Sequence, residues 1–103
     1  GLNRDELLAT VGVPTNVRYI ATASRFTVEK SLRDILFATA LLRMAHDDLR
    51  LIVCGDGPHA AEIRRFCRSM EIDDITTFTG IRDDAAEVIR HAEAYVDAAV
   101  VDG

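Results

Sequence analysis

Apolar residues in this chain recur by turns at helical and at strand spacing. In residues 1–10, GLNRDELLAT, Leu2, Leu7 and Leu8 fall where a short helix would turn them inward, and Gly12 and Pro14 break it. Residues 17–23, VRYIATA, mix β-branched and small apolar residues with partial alternation, which predicts a first strand. From 30 to about 45, Leu32, Ile35, Leu36, Thr39 and Leu42 share one helical face while Arg33, Asp34 and Arg43 reach water. Phe37, Leu41 and Met44 broaden that face, so this helix is expected to be covered on more than one side. The run LRLIVCG, 49–55, is nearly continuous in apolar residues and stops at glycine, as a central parallel strand buried on both faces would. Pro58 is placed at the first position of the next helix, which Ile63, Phe66, Cys67 and Met70 carry at the 3.6 period. A short strand, ITTF at 75–78, ends at Gly80. Asp84 and Glu87 have the offset of a capping box, placing a further helix over 84–92 with Val88, Ile89 and Ala92 inward. The last strand is AYVDAAVV, 94–101. Its Asp97 either points into a cleft or marks an earlier strand end, because a buried carboxylate without a partner is costly.

The order is therefore helix, then β-α-β-α-β-α-β. That alternation predicts an α/β fold, a Rossmann-like parallel sheet of about four strands with helices on both faces. A length of 103 residues fits one domain, with 1–15 as an N-terminal helix and turn and 16–103 as the β-α core. If the strands are ordered 3-2-1-4, ligands bind beyond the C-terminal ends of strands one and four, where strand order reverses. The loops 24–31 and 98–103 then matter most.

Composition narrows the chemistry. With 49% hydrophobic residues the chain can bury a core, and with no Trp that core is aliphatic. A net charge of −5 with no dense Lys or Arg cluster argues against nucleic acid as a partner. It leaves room for a small phosphorylated ligand, which needs only one or two cations and a helix N-terminus. Cys54 and Cys67 read as buried thiols, and His46, His59 and His91 are scattered over three regions without ligand spacing, so no metal site is expected. No apolar run approaches the ~20 residues of a membrane span, and nothing resembles a cleavable signal. A cytoplasmic setting fits best.

The loop SRFTVEKS sets Arg25 at a strand end and Lys30 at a helix start. A diphosphate there would meet two cations and the positive end of the helix dipole, with Ser24 and Ser31 as hydroxyl donors. The bland reading is two solvated charges. GDGP at 55–58 is on its own a tight turn into a helix, although Asp56 stands where dinucleotide-binding folds place a ribose-binding acid. With no GxGxxG after the first strand, NAD is disfavoured. No Ser-His-Asp or Cys-His pairing supports a nucleophile.

Taken as an ordered set, ATASRFTVEKS, LRLIVCGDGP, TTFTG and AEAYVDAAVVDG resemble the C-terminal, nucleotide-sugar-binding domain of GT-B glycosyltransferases of group 1, or family 4. The resemblance covers about 16–103. It implies that Arg25 and Lys30 hold the donor phosphates beside Ser24, that Gly55, Asp56 and Gly57 belong to the donor-side loop, and that Ile81 and Arg82 border the base. Asp102 occupies the place of the first Glu in the family's E-x7-E motif and is the one candidate for a catalytic acid. Ser24 and Ser31 stand where the family commonly has Gly, and Ala98 and Ala99 where it has Pro-Ser. The second Glu and an N-terminal acceptor domain are not in this sequence, so this chain is expected to be the donor-binding fragment of a retaining, hexosyltransferase-type enzyme, inactive alone. The implied substrates are a nucleotide diphosphate sugar and an unidentified acceptor, with no cofactor and no required metal. A non-catalytic Rossmann-like nucleotide-binding or regulatory domain is the alternative, and an epimerase of the same architecture a third.

Overall fold

The computed structural model describes residues 2–24 and 29–95, and the side chains within them apart from those of 24, 29–31, 94 and 95. The elements are α1 (Arg4–Val11), β1 (Arg18–Ser24), α2 (Glu29–Arg43), β2 (Leu49–Gly55), α3 (Ala60–Ser69), a 3-10 turn (Asp73–Ile75), β3 (Thr76–Gly80), α4 (Ala85–Arg90) and β4 (Ala94–Tyr95). All strand pairs are parallel and the order is β3-β2-β1-β4.

Strand alternation divides the core into two layers. Leu51 and Val53 of β2 pack with Leu32, Ile35 and Leu36 of α2 and Ile63 and Cys67 of α3 on one face. Ile52 and Cys54 join Leu7 and Leu8 of α1, Tyr19 and Ala21 of β1 and Val88 of α4 on the other. The continuous apolar run of β2 follows from this double cover. Tyr19 adds a directed tie, its buried hydroxyl donating to the Val88 carbonyl at 2.6 Å. Both cysteines are free and buried, and burial pushes each thiol pKa up.

Several local expectations are corrected. Leu2 and Leu42 are 36% and 42% exposed, so the inward stripes are shorter than the periodicity suggested. Phe37, Leu41 and Met44 have no second cover among the described residues, at 52%, 56% and 84% exposed. Pro58 precedes α3 by two residues, because the chain first makes a turn in which the Ala60 amide donates to the Gly57 carbonyl at 3.2 Å. Ile75 closes the 3-10 turn instead of opening β3. The expected capping box at Asp84 and Glu87 does not form, since each carboxylate is held by an arginine, Arg82 and Arg90. A capping box forms instead at α1. There Asn3 Oδ1 accepts from the Glu6 amide at 2.8 Å while Glu6 Oε1 accepts from the Asn3 amide at 3.2 Å. The remainder of the predicted last strand, with Asp97, Ala98 and Ala99, lies outside the described residues.

Thr22 lies on β1, on the α2 side with Ile20, fully buried and with no hydrogen-bond partner for its hydroxyl among the described residues. A buried hydroxyl without a partner loses its water bonds and regains nothing. Thr22→Val keeps the shape and removes that penalty, so it is expected to raise stability by roughly 1 kcal/mol in urea unfolding. A lowered urea midpoint would mean the hydroxyl is satisfied in solution.

Candidate functional site

Because all strands are parallel, their C-terminal ends share one edge of the sheet. Register sets Ser24 of β1 against Gly55 of β2, and Gly55 against Gly80 of β3, so the three sit in a row along that edge. Here β2 and β3 slip, with Cys54 and Gly55 both opposite Gly80. Gly55 and Gly80 have φ of 128° and 73°, which a side chain disfavours. At Gly80 an added Cβ would meet nothing within 4 Å, so its φ and not crowding calls for glycine. These bends end the strands together at one edge of the sheet.

Asp56 is exposed and its Oδ1 accepts from the Gly57 amide at 2.8 Å, which stiffens the loop and leaves the other carboxylate oxygen outward. Ile81 is 82% exposed directly after Gly80, at the same edge of the sheet. Arg82 is held more firmly than its motif position implied. Its Nε and Nη2 donate to the two oxygens of Asp84 at 2.6 and 2.7 Å, and Nη2 also donates to Thr10 Oγ1 of α1 at 3.1 Å. This forked contact is short and charge-assisted. The guanidinium beside it holds the Asp84 carboxyl below its ordinary value, and Asp84 in turn raises Arg82. Arg82 thus ties the β3–α4 loop to α1 and fixes where Ile81 stands. The sequence signal was Arg two residues before a helix-start Asp, which reasoning from capping alone passes over.

Lys30 has its backbone in the first turn of α2, at the same edge of the sheet as Ser24. The side chains of Ser24 and Lys30, and all of Arg25 and Asp102, lie outside the described residues. The geometry therefore brings together Ser24, Gly55, Asp56, Gly57 and Ile81 with the start of α2. Arg82 stands behind Ile81. No group of three or more His, Cys, Asp or Glu among the described residues has the placement to hold a metal ion.

The family profile described as "Glycosyl transferases group 1" matches residues 3–101. The chain belongs to the group 1 glycosyl transferases. Among curated relatives of this group 1 domain, the alpha-monoglucosyldiacylglycerol synthase of Streptococcus pneumoniae is 30% identical over 79 residues, 77% of this chain and 18% of that protein. The N-acetyl-alpha-D-glucosaminyl L-malate synthase of Bacillus anthracis is 26% identical over 84 residues, 82% of this chain and 22% of that protein. Among solved structures, WaaG, a glycosyltransferase involved in lipopolysaccharide biosynthesis, superposes with a TM-score of 0.67 at 18% identity, over 89% of this chain and 25% of that one. A glycosyltransferase from Rickettsia africae gives 0.68 at 17%, over 92% of this chain and 26% of that one. The α/β fold of this group 1 domain is that of its GT-B neighbours, and it spans about a quarter or less of the length of each protein named here. No helix among the described residues is long and apolar enough to cross a membrane.

Proposed function

We propose that this domain holds the nucleoside diphosphate of a sugar donor, within a retaining glycosyltransferase of hexosyltransferase type. The observation that carries the reading is the strand order. With β1 between β2 and β4, strand order reverses at β1, and a crevice at that point receives ligands in open α/β sheets. The loop leaving β1 carries Arg25 and leads into α2, a helix of 15 residues whose first turn holds Lys30. Helix N-termini attract phosphates through unpaired amides and the dipole, and Arg25 and Lys30 add two formal charges.

In this reading the two cations take up charge on the departing diphosphate, which replaces a bound metal in that role. Gly55, Asp56 and Gly57 form the adjoining wall, Ile81 meets the base, and Asp102 stands near the sugar. The acceptor is bound by chain outside this domain. Two relatives fit that division, since one name joins glucose to diacylglycerol and the other joins N-acetylglucosamine to L-malate. The transfer takes place in the cytoplasm, where two free thiols stay reduced.

Calorimetric titration of the chain with UDP, GDP and ADP tests the site. One nucleotide is expected to saturate, and Arg25→Ala to weaken it at least about tenfold, the scale of a lost charge-assisted contact. Failure of all three to bind, or binding indifferent to Arg25→Ala, removes the proposal.

A further inference from the structure

We infer that Thr10 and Arg82 are positioning residues for base selection, a strut from α1 to the β3–α4 loop that fixes Ile81 as the wall against which the donor's base lies. The inference rests on the donor-site reading above and adds the residues that set which nucleotide is accepted.

The strut is anchored at both ends. Helix α1 gives firm footing, since the Asn3–Glu6 box closes its start, Leu7 and Leu8 are buried, and Arg4 donates to the carbonyls of Thr15, at 2.9 Å, and Val17. Thr10 Oγ1 donates its one proton to the Leu7 carbonyl at 2.6 Å, which leaves its lone pairs to accept from Arg82 Nη2 at 3.1 Å. At the other end Arg82 holds Asp84 by the fork already described. The Arg82 side chain is 19% exposed, against 31% for Arg4 and 36% to 60% for Arg18, Arg43 and Arg90 in their ion pairs, so water screens this contact least. Burial pushes the Cys54 thiol up, and Arg82 and Asp84 are the charged groups that act on it. Cys54 belongs to the core layer of Leu7 and Leu8, so the guanidinium stands on the α1 side of the sheet, behind the edge where Ile81 is exposed.

The strut displaces a local preference. Asp84 occupies the N-cap position of α4, where an aspartate ordinarily accepts from a backbone amide of the first turn, yet it makes no such bond because Arg82 takes both of its oxygens. A helix start thus goes uncapped while the loop before it is fixed to a distant helix, and local rules give way in this manner at functional sites. A wall selects among bases only while it stays in place. Held still, it admits the ring that fits and clashes with the others, whereas a wall free to shift accommodates them all. Cutting the strut therefore lowers discrimination without removing a contact to the phosphates.

Calorimetric titration of the full-length protein with UDP, GDP, ADP and inorganic pyrophosphate tests this. The wild type is expected to prefer one of the three nucleotides. Thr10→Val is expected to shrink the ratio of best to worst affinity about threefold, the scale of one lost hydrogen bond. Pyrophosphate affinity and the melting temperature should stay in place, Thr10 being exposed. Arg82→Leu, which cuts both ends of the strut, is expected to shrink the ratio about tenfold. Thr10→Ser, which keeps the hydroxyl, is expected to retain the wild-type ratio. Equal wild-type affinities for the three nucleotides, ratios unchanged in both Thr10→Val and Arg82→Leu, or a loss that falls on pyrophosphate as heavily as on the nucleotides each overturn the inference and leave the donor site standing. A wild type that binds none of the four ligands removes the donor site, and the inference with it.

Discussion

Lys30→Ala in the full-length protein is expected to lower turnover of the sugar donor by roughly 10²- to 10³-fold, the usual loss when one preorganised charge-stabilising group is removed. The loss should fall on kcat as well as on donor affinity, because the diphosphate carries more charge as it departs than while it is still bonded to the sugar. A second readout separates this role from a structural one. A cation in the first turn of a helix opposes the macrodipole, a conflict worth about 0.3–1 kcal/mol. Removing it should leave the fold as stable as before or slightly more so, while catalysis collapses. Release of nucleoside diphosphate and thermal unfolding, measured on the same preparation, give the two signs. Unchanged kinetics would take Lys30 out of the donor site, and a parallel loss of stability would make it a structural residue.

The parallel sheet could be read from the chain because β2 announces itself. Residues 49–55 offer apolar side chains to both faces, and two helical layers are needed to cover them. Local capping was less legible, and for a definite reason. Asn3 with Glu6 and Asp84 with Glu87 have the same offset, yet only the first pair forms a box. Arg82 takes Asp84 with a fork and Arg90 takes Glu87 through one bond, and these charge-assisted contacts outweigh a backbone amide as partner for a carboxylate. Periodicity likewise marked Phe37, Leu41 and Met44 as apolar and so suggested a second cover, which the described residues do not supply. Of the site, the common edge of Ser24, Gly55 and Gly80 was visible in advance, since it follows from parallel strands, whereas 25–28 and 98–103 of the two expected loops lie outside the described residues. The hold of Arg82 on Thr10 joins residues far apart in sequence, so no local pattern announces it.

Leu36→Ala is expected to cost this chain about 2–5 kcal/mol, the range for deleting most of a fully buried aliphatic side chain. Leu36 is packed between α2 and the sheet with Leu32, Leu51, Val53 and Ile63, and the surrounding side chains refill such a space only in part. Against a typical total of roughly 5–15 kcal/mol, that is a large share, visible as a fall in melting temperature of about ten degrees or more. Leu41→Ala, five residues along the same helix but on its outer side, should stay within about 0.5 kcal/mol. The pair isolates burial from helix propensity, because both substitutions are leucine to alanine in a helix interior. Urea unfolding of the two variants gives the comparison directly. Equal losses would mean that the outer side of α2 is covered in solution, which would contradict the exposure of Phe37, Leu41 and Met44. Unequal losses of the expected size would establish that α2 rests on the sheet by one side alone, the side of Leu32, Ile35, Leu36 and Thr39.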